Sequence, residues 1–173
     1  MFLEPEFEIW ESRLSPQQEA NLDVPAWFLP ALGIYFIGGG AVGLIAFAQA
    51  FASGKRALFN VGIATILTIV HLVAIWCGVM ALQRRRGWLR VATILSIIQV
   101  PVLISPIVTY GLNIGVFVAP YVSVPPLRIG LNYGIGSYAQ LHLFVPMPYG
   151  LGVSLVAFCL ALYLFRLHAR GTA

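Results

Sequence analysis

The sequence predicts an all-α integral membrane protein, a bundle of four transmembrane helices with a long extracytoplasmic loop between helices 3 and 4. Of its 173 residues, 60% are hydrophobic and 9% are charged, whereas soluble domains have about 45–50% and about 25%. The mean hydropathy is +0.89. All six carboxylates lie in the first 23 residues, and none follows Asp23. This composition excludes an ordinary soluble domain and also excludes a disordered chain, which needs low hydrophobicity.

The chain divides into an acidic N-terminal segment, residues 1–25, and a transmembrane domain, residues 26–173. Uncharged runs in the second part are each long enough to cross a hydrocarbon core of about 30 Å. Backbone groups find no hydrogen-bond partner in lipid, so we expect these runs to be helices. We find in them no ten-residue alternation of the kind that barrel strands carry. The four predicted spans are about 26–52, 57–82, 91–112 and 143–165.

The basic residues predict the orientation of the four spans. Four of them, Arg84, Arg85, Arg86 and Arg90, follow the second span. In a four-span topology this connection shares its side with both termini, and that side then holds seven of the ten basic residues. The positive-inside rule places that side in the cytoplasm. We therefore expect a protein of the bacterial inner membrane with a cytoplasmic head, residues 1–25, and a cytoplasmic C-terminus.

Two features of the spans suggest how the predicted helices pack. Gly39 and Gly43 form a small-xxx-small pair in the first span, which allows a second helix to approach closely. The same motif also arises by chance in apolar helices, so specific docking and no role both remain open. Pro101 and Pro106 each remove a backbone hydrogen bond from the third span and predict a bend there.

The predicted outer loop, residues 113–142, is far longer than ordinary connections of about 4–6 residues. It carries a single charge, Arg128, and is rich in Pro, Gly and Tyr. A freely solvated loop would not hold so many apolar side chains. We expect it to dock on another subunit or to cap its own bundle, with a re-entrant pore element as the alternative.

Polar side chains recur at helical spacing in two of the spans, and they predict a polar interhelix cluster. His71 lies about 11 residues from the cytoplasmic end of its span, and Gln99 lies at a similar depth in the next. The simpler interpretation is a structural hydrogen bond between helices. The alternative is that His71 is the axial ligand of a haem or chlorophyll-type tetrapyrrole, because neutral imidazole is a good metal ligand. The cluster comprises Thr65, Thr68, His71, Ser96 and Gln99.

The spans hold no Asp, Glu, Lys or interior Arg, and acid–base catalysis needs such groups in a pocket. We therefore expect no catalytic residues, no metal site and no enzyme activity. The leading hypothesis is an accessory, scaffold or assembly subunit of a larger membrane complex. A small oligomeric channel or carrier and a tetrapyrrole-binding subunit are the alternatives, and no cofactor is the simplest expectation. Expected partners are membrane lipid and other membrane subunits. Nucleic acid is not expected, because the bases lie at the ends of apolar runs.

Overall fold

The computed structural model describes residues 24–52, 61–85, 87–143 and 148–171. Within these ranges the chain forms four helices and a four-stranded antiparallel sheet. The predicted all-α bundle of four transmembrane helices is therefore wrong, and the fold combines helices with a sheet. The acidic segment 1–25 lies outside the described residues, apart from Val24 and Pro25.

The first two predicted spans correspond to helices, which we name α1 and α2. Each contains an apolar stretch, Phe28–Gln49 in α1 and Thr65–Leu82 in α2, that is long and apolar enough to cross a membrane. In chain order the elements are α1 (Phe28–Ala52), α2 (Val61–Leu82), α3 (Trp88–Ile98), β1 (Pro101–Ile104), β2 (Val108–Val124), β3 (Arg128–Leu143), β4 (Tyr149–Val153) and α4 (Leu155–Gly171).

The predicted third span, 91–112, is helical only as far as Ile98. The amides of Gln99 and Val100 turn back onto the carbonyls of Ser96 and Ile97 at 3.2 and 3.1 Å, which closes the last turn. Pro101 follows, and it has no N–H with which to continue a helix. The predicted bend at Pro101 and Pro106 is therefore wrong, because the helix ends before Pro101, and Pro106 lies between β1 and β2.

The predicted outer loop, 113–142, belongs to a long hairpin of β2 and β3. In residues 129–135 isoleucine, leucine and tyrosine alternate with glycine and asparagine, which is the period of a strand with two different faces. The predicted span 143–165 is also wrong, because β4 and α4 divide it at Ser154. The turn between β2 and β3 contains cis peptide bonds at Val124–Pro125 and Pro125–Pro126.

The sheet curls back on itself. Leu103 of β1 is the register partner of both Tyr110 in β2 and Leu151 in β4. Leu151 is in turn the partner of Val122, near the other end of β2. Since β1, β4 and both ends of β2 are linked by pairing, β2 must bend strongly between residues 110 and 122. This curled sheet has an inner and an outer face.

One end of the outer face of β2 completes the helical core. Leu112 and Ile114 are buried against helices, while alternate residues such as Asn113 point to the inner face. At Val116 the backbone oxygen still accepts a hydrogen bond from Tyr35 of α1 at 3.5 Å, and farther along the outer face Val122 and Val124 are exposed. The core cluster consists of Phe28, Leu29, Leu32, Phe36, Ala74, Cys77, Met80, Ala81, Trp88, Leu89, Ala92, Leu95, Leu112, Ile114, Leu164 and Leu167.

Candidate functional site

The arginines that follow α2 form an exposed turn. The amide of Arg84 donates to Ala81 O at 3.2 Å and that of Arg85 to Met80 O at 2.9 Å. Arg84 has a φ of 49°, the left-handed conformation that commonly ends helices. Arg84, Arg85 and Arg90 are exposed, and Arg86 lies outside the described residues.

The predicted glycine pair is divided between two contacts. A Cβ atom at Gly39 would lie 2.2 Å from the backbone nitrogen of Gly115, so the Gly39 face of α1 touches β2 and not another helix. Gly43 is buried. The α1–α2 contact uses other glycines: a Cβ at Gly40 would lie 2.9 Å from His71 O, and one at Gly78 would lie 2.8 Å from Gly33 O.

His71 is buried in α2, with 3% of its surface exposed. Its Nδ1 lies 2.6 Å from the carbonyl oxygen of Leu67 in the same helix. A carbonyl only accepts hydrogen bonds, so Nδ1 carries the proton. A tetrapyrrole on the remaining nitrogen would require α2 to separate from its neighbours, because the imidazole is enclosed on all sides. Thr65 is exposed and Thr68 is half-buried on the same helix.

Gln99 serves a different contact, between α3 and β2. Its Nε2 donates to Leu95 O at 2.8 Å, and its Oε1 accepts a hydrogen bond from the amide of Ile114 at 2.8 Å. Ser96 donates to Ala92 O at 2.8 Å, within α3. For the predicted polar cluster, the structure thus shows a bond of Ser96 within α3, bonds of Gln99 within α3 and to β2, and a bond of His71 Nδ1 within α2.

The inner face of the curled sheet borders a cavity of about 280 Å³. Thr109 and Asn113 are buried at 3% and 2% exposure, and Asn132 is exposed on β3. Beside the cavity, the hydroxyl of Tyr110 donates to Ile98 O, and burial raises the pKa of its phenol. The described lining consists of Val102, Leu103, Ile104, Thr109, Tyr110, Asn113, Ala119, Tyr121, Leu131 and Asn132.

The first half of β3 forms an open edge of the sheet. In the strand order β1-β4-β2-β3, β3 is terminal and pairs with β2 alone among the described strands. Large apolar side chains project from it, with Ile135 89% exposed and Ile129 79% exposed. These residues pair with Val116 and Val122 of β2, which are also exposed. The exposed outer face is therefore continuous across both strands.

The sequence prediction misses the cavity and the open edge, because it assigns residues 113–142 to a loop and residues 91–112 to a helix. The signal that could have found them is the alternation in both strands. It places Thr109, Asn113 and Tyr121 on one face of β2, and Ile129 and Ile135 on one face of β3. Comparisons with models of known protein families, with curated proteins and with solved structures found no match for this chain.

Proposed function

We propose that the chain is a non-catalytic accessory or assembly subunit of a larger membrane complex, and that it docks on its partner through the open edge of β3. The observation that carries this proposal is an edge strand with exposed apolar side chains whose side away from β2 pairs with no described strand. Such edges pair readily with a strand of another chain.

The outer face at this edge is too apolar to be left in water. Its exposed side chains extend over β2, β3 and β4, and register pairs connect them into one surface. Large exposed apolar patches mark sites of protein or membrane interaction. The surface comprises Val116, Val122, Val124, Ile129, Leu131, Tyr133, Ile135, Tyr149 and Leu151.

The backbone of the same edge argues against lipid as the only neighbour. Along residues 128–135 the side of β3 away from β2 presents backbone N–H and C=O groups to no described strand. Each such group left unsatisfied in hydrocarbon costs several kcal/mol, and open sheet edges do not occur there. Lipid would cover the apolar side chains but would leave the backbone groups without hydrogen-bond partners. Water would supply those partners but would leave the apolar side chains exposed. An extended segment of another protein satisfies both.

The chemistry of the edge also describes the partner segment. Between residues 128 and 135 the only charged side chain is Arg128. A matching segment is therefore extended and apolar along most of its length, since a charge opposite Ile135 or Ile129 would be buried without a counter-charge.

To test this docking, a photoreactive amino acid is placed at Ile135, or at Trp76 on α2, which is 54% exposed. In native membranes we expect the probe at Ile135 to crosslink to a protein, because that edge faces the partner. The crosslinked peptide should be one defined, extended segment of one membrane subunit. We expect lipid adducts at Trp76. Ile129→Lys should abolish the protein adduct, and Leu127→Lys, at the exposed turn beside β3, should leave it intact.

Amide hydrogen exchange gives an independent reading of the same edge. In the native complex the β3 amides of residues 128–135 should all be protected. After dissociation in harsh detergent, only every second one should remain protected, because those bond to β2. Lipid adducts alone at Ile135, or adducts only to a second copy of this chain, would contradict the proposed role.

For the localisation we propose the bacterial inner membrane, with both termini in the cytoplasm. Two contacts support a shared side for the termini. The Ser154 amide donates to Val100 O at 2.8 Å, so α4 starts beside the end of α3. The ring of Tyr163 lies 4.8 Å from that of Phe28, so α4 returns to the start of α1. The positive-inside rule then favours the cytoplasm for this side, which carries the exposed arginine turn.

Cysteine labelling tests this orientation. Single cysteines at Gln83 and at Ala52, both exposed, are introduced after both native cysteines, Cys77 and Cys159, are replaced by alanine. On intact cells we expect a membrane-impermeant maleimide to label Ala52→Cys and to spare Gln83→Cys until the membrane is opened, because α1 and α2 place these ends on opposite sides. Labelling of Gln83→Cys on intact cells would reverse the orientation.

A further inference from the structure

The cavity inside the curled sheet differs in character from the apolar outer surface. Its inner end is formed by Thr109 and Asn113, which are buried, and Val102, Ile104 and Tyr121 also line it. Of the ten described lining residues, five carry polar groups, namely Thr109, Tyr110, Asn113, Tyr121 and Asn132, and the other five are apolar. A pocket that combines apolar side chains with a few placed polar groups is typical of small-molecule sites.

Small residues on the paired strands β2 and β3 leave room for the cavity and determine where the ring of Tyr121 lies. Gly130 is the register partner of Tyr121, and a Cβ at Gly130 would lie 2.4 Å from the tyrosine ring. The ring of Tyr121 therefore packs directly against the backbone of Gly130. Ala119 is buried opposite Asn132, and its single methyl group leaves the space beside the ring open. A larger side chain at residue 119 would occupy the space beside the ring.

The lining also specifies the charge and size of an occupant. None of the described lining residues is charged, and an ion placed there would lose its hydration without gaining a counter-charge. The volume of about 280 Å³ corresponds to about nine times the volume of a water molecule in the liquid, about 30 Å³. An occupant of about nine non-hydrogen atoms therefore fits.

We propose that this cavity binds a small neutral organic molecule that carries one hydroxyl or carbonyl group on a flat apolar body. The polar group bonds to the Asn113 amide and the Thr109 hydroxyl. The Thr109 hydroxyl donates to Ser105 O at 3.3 Å, and a hydroxyl oxygen has two acceptor lone pairs. The apolar body packs on Tyr121 between Val102 and Ile104.

The test uses phenethyl alcohol as the probe. Phenethylamine, which has the same size but carries a positive charge, is the control ligand. Saturation-transfer NMR is recorded on the full chain in deuterated detergent micelles. We expect a saturable signal for the alcohol and at least about ten-fold weaker binding of the ammonium ion, which corresponds to about 1.4 kcal/mol. Ala119→Leu should remove the saturable signal, because the leucine side chain occupies the space beside Tyr121 in which the apolar body packs. Ala31→Leu, on the exposed side of α1, makes the same change outside the cavity and should retain it.

Thr109→Val provides a second variant that keeps the volume and removes the hydroxyl. It should weaken binding of the alcohol about two- to ten-fold, the loss expected for one hydrogen bond. Protection of the sheet amides from hydrogen exchange, compared with the unchanged chain, verifies that each variant is folded. Equal signals for the alcohol in Ala119→Leu and Ala31→Leu, or equal binding of alcohol and ammonium ion, would overturn the proposal.

Discussion

Replacing Gly39 by alanine is expected to separate β2 from α1 and to lower the free energy of unfolding by about 3 kcal/mol. The added Cβ would lie 2.2 Å from the Gly115 nitrogen and 2.7 Å from the Ile114 side chain. Backbone atoms cannot move aside as a flexible side chain can. Gly115 itself has a φ of 87°, a conformation that glycine adopts without strain. Reversible unfolding in mild detergent measures the change.

The preceding residue provides a matched control. A Cβ at Gly38 meets no atom within 4 Å, so Gly38→Ala adds the same methyl group to the same helix without a clash. Alanine is favoured over glycine within helices by about 1 kcal/mol, and Gly38→Ala should therefore leave stability unchanged or raise it. If both variants unfold alike, the contact between α1 and β2 at Gly39 is not the one described here.

Replacing Gln99 by leucine is expected to cost about 2–3 kcal/mol, the second large effect. Leucine matches much of the volume and removes both hydrogen bonds of the amide group. The N–H of Ile114, which donates to Gln99 Oε1 at 2.8 Å, is then buried without an acceptor. A buried donor left unsatisfied costs about 1–3 kcal/mol, more than the net gain of an ordinary hydrogen bond. Denaturant unfolding and hydrogen exchange of the Ile114 amide provide the measurements.

Ser96→Ala is the control for Gln99→Leu. Ser96 lies one turn earlier on α3 and is equally buried, yet its hydroxyl donates to Ala92 O within the same helix. Its loss leaves no backbone donor unsatisfied, so we expect a cost below about 1 kcal/mol. Faster exchange at Ile114 should occur in Gln99→Leu alone. Normal protection of Ile114 in that variant would show that Gln99 does not join α3 to β2.

Hydropathy predicted two of the helices well. It failed where the chain changes from a helix to a strand within one uncharged run. α1 and α2 lie within the predicted spans 26–52 and 57–82. In contrast, residues 91–112 contain most of α3, the whole of β1 and the start of β2. An uncharged run has the same mean hydropathy in either conformation, so length and apolarity cannot distinguish them. Pro101, at which the sequence predicts a bend, is the first residue of β1, three positions after the helix ends at Ile98.

The candidate site shows the same division. The sequence singled out Gln99 and Gly39, and both lie at close contacts, but their partners are residues of β2 that no helical wheel contains. Gly39 contacts Gly115, 76 positions along the chain. The sequence predicts a bond from His71 to a neighbouring helix, and the bond that the structure shows for its Nδ1 goes to Leu67 in its own helix. Residue spacing along one helix or strand indicates which residues share a face of it. It does not indicate which other helix or strand packs on that face.

The sequence by itself determined that this chain is strongly apolar, that its carboxylates are confined to residues 1–23, and that two segments suit a membrane. Those properties depend on composition and on runs of neighbouring residues. Only the tertiary structure decided that the stretch after Ile98 pairs into a curled sheet with an open edge and a cavity. Strand pairing is a contact between residues distant in sequence, and its register depends on the bend of β2 and on the glycines that allow close approach. Local patterns do not encode that geometry.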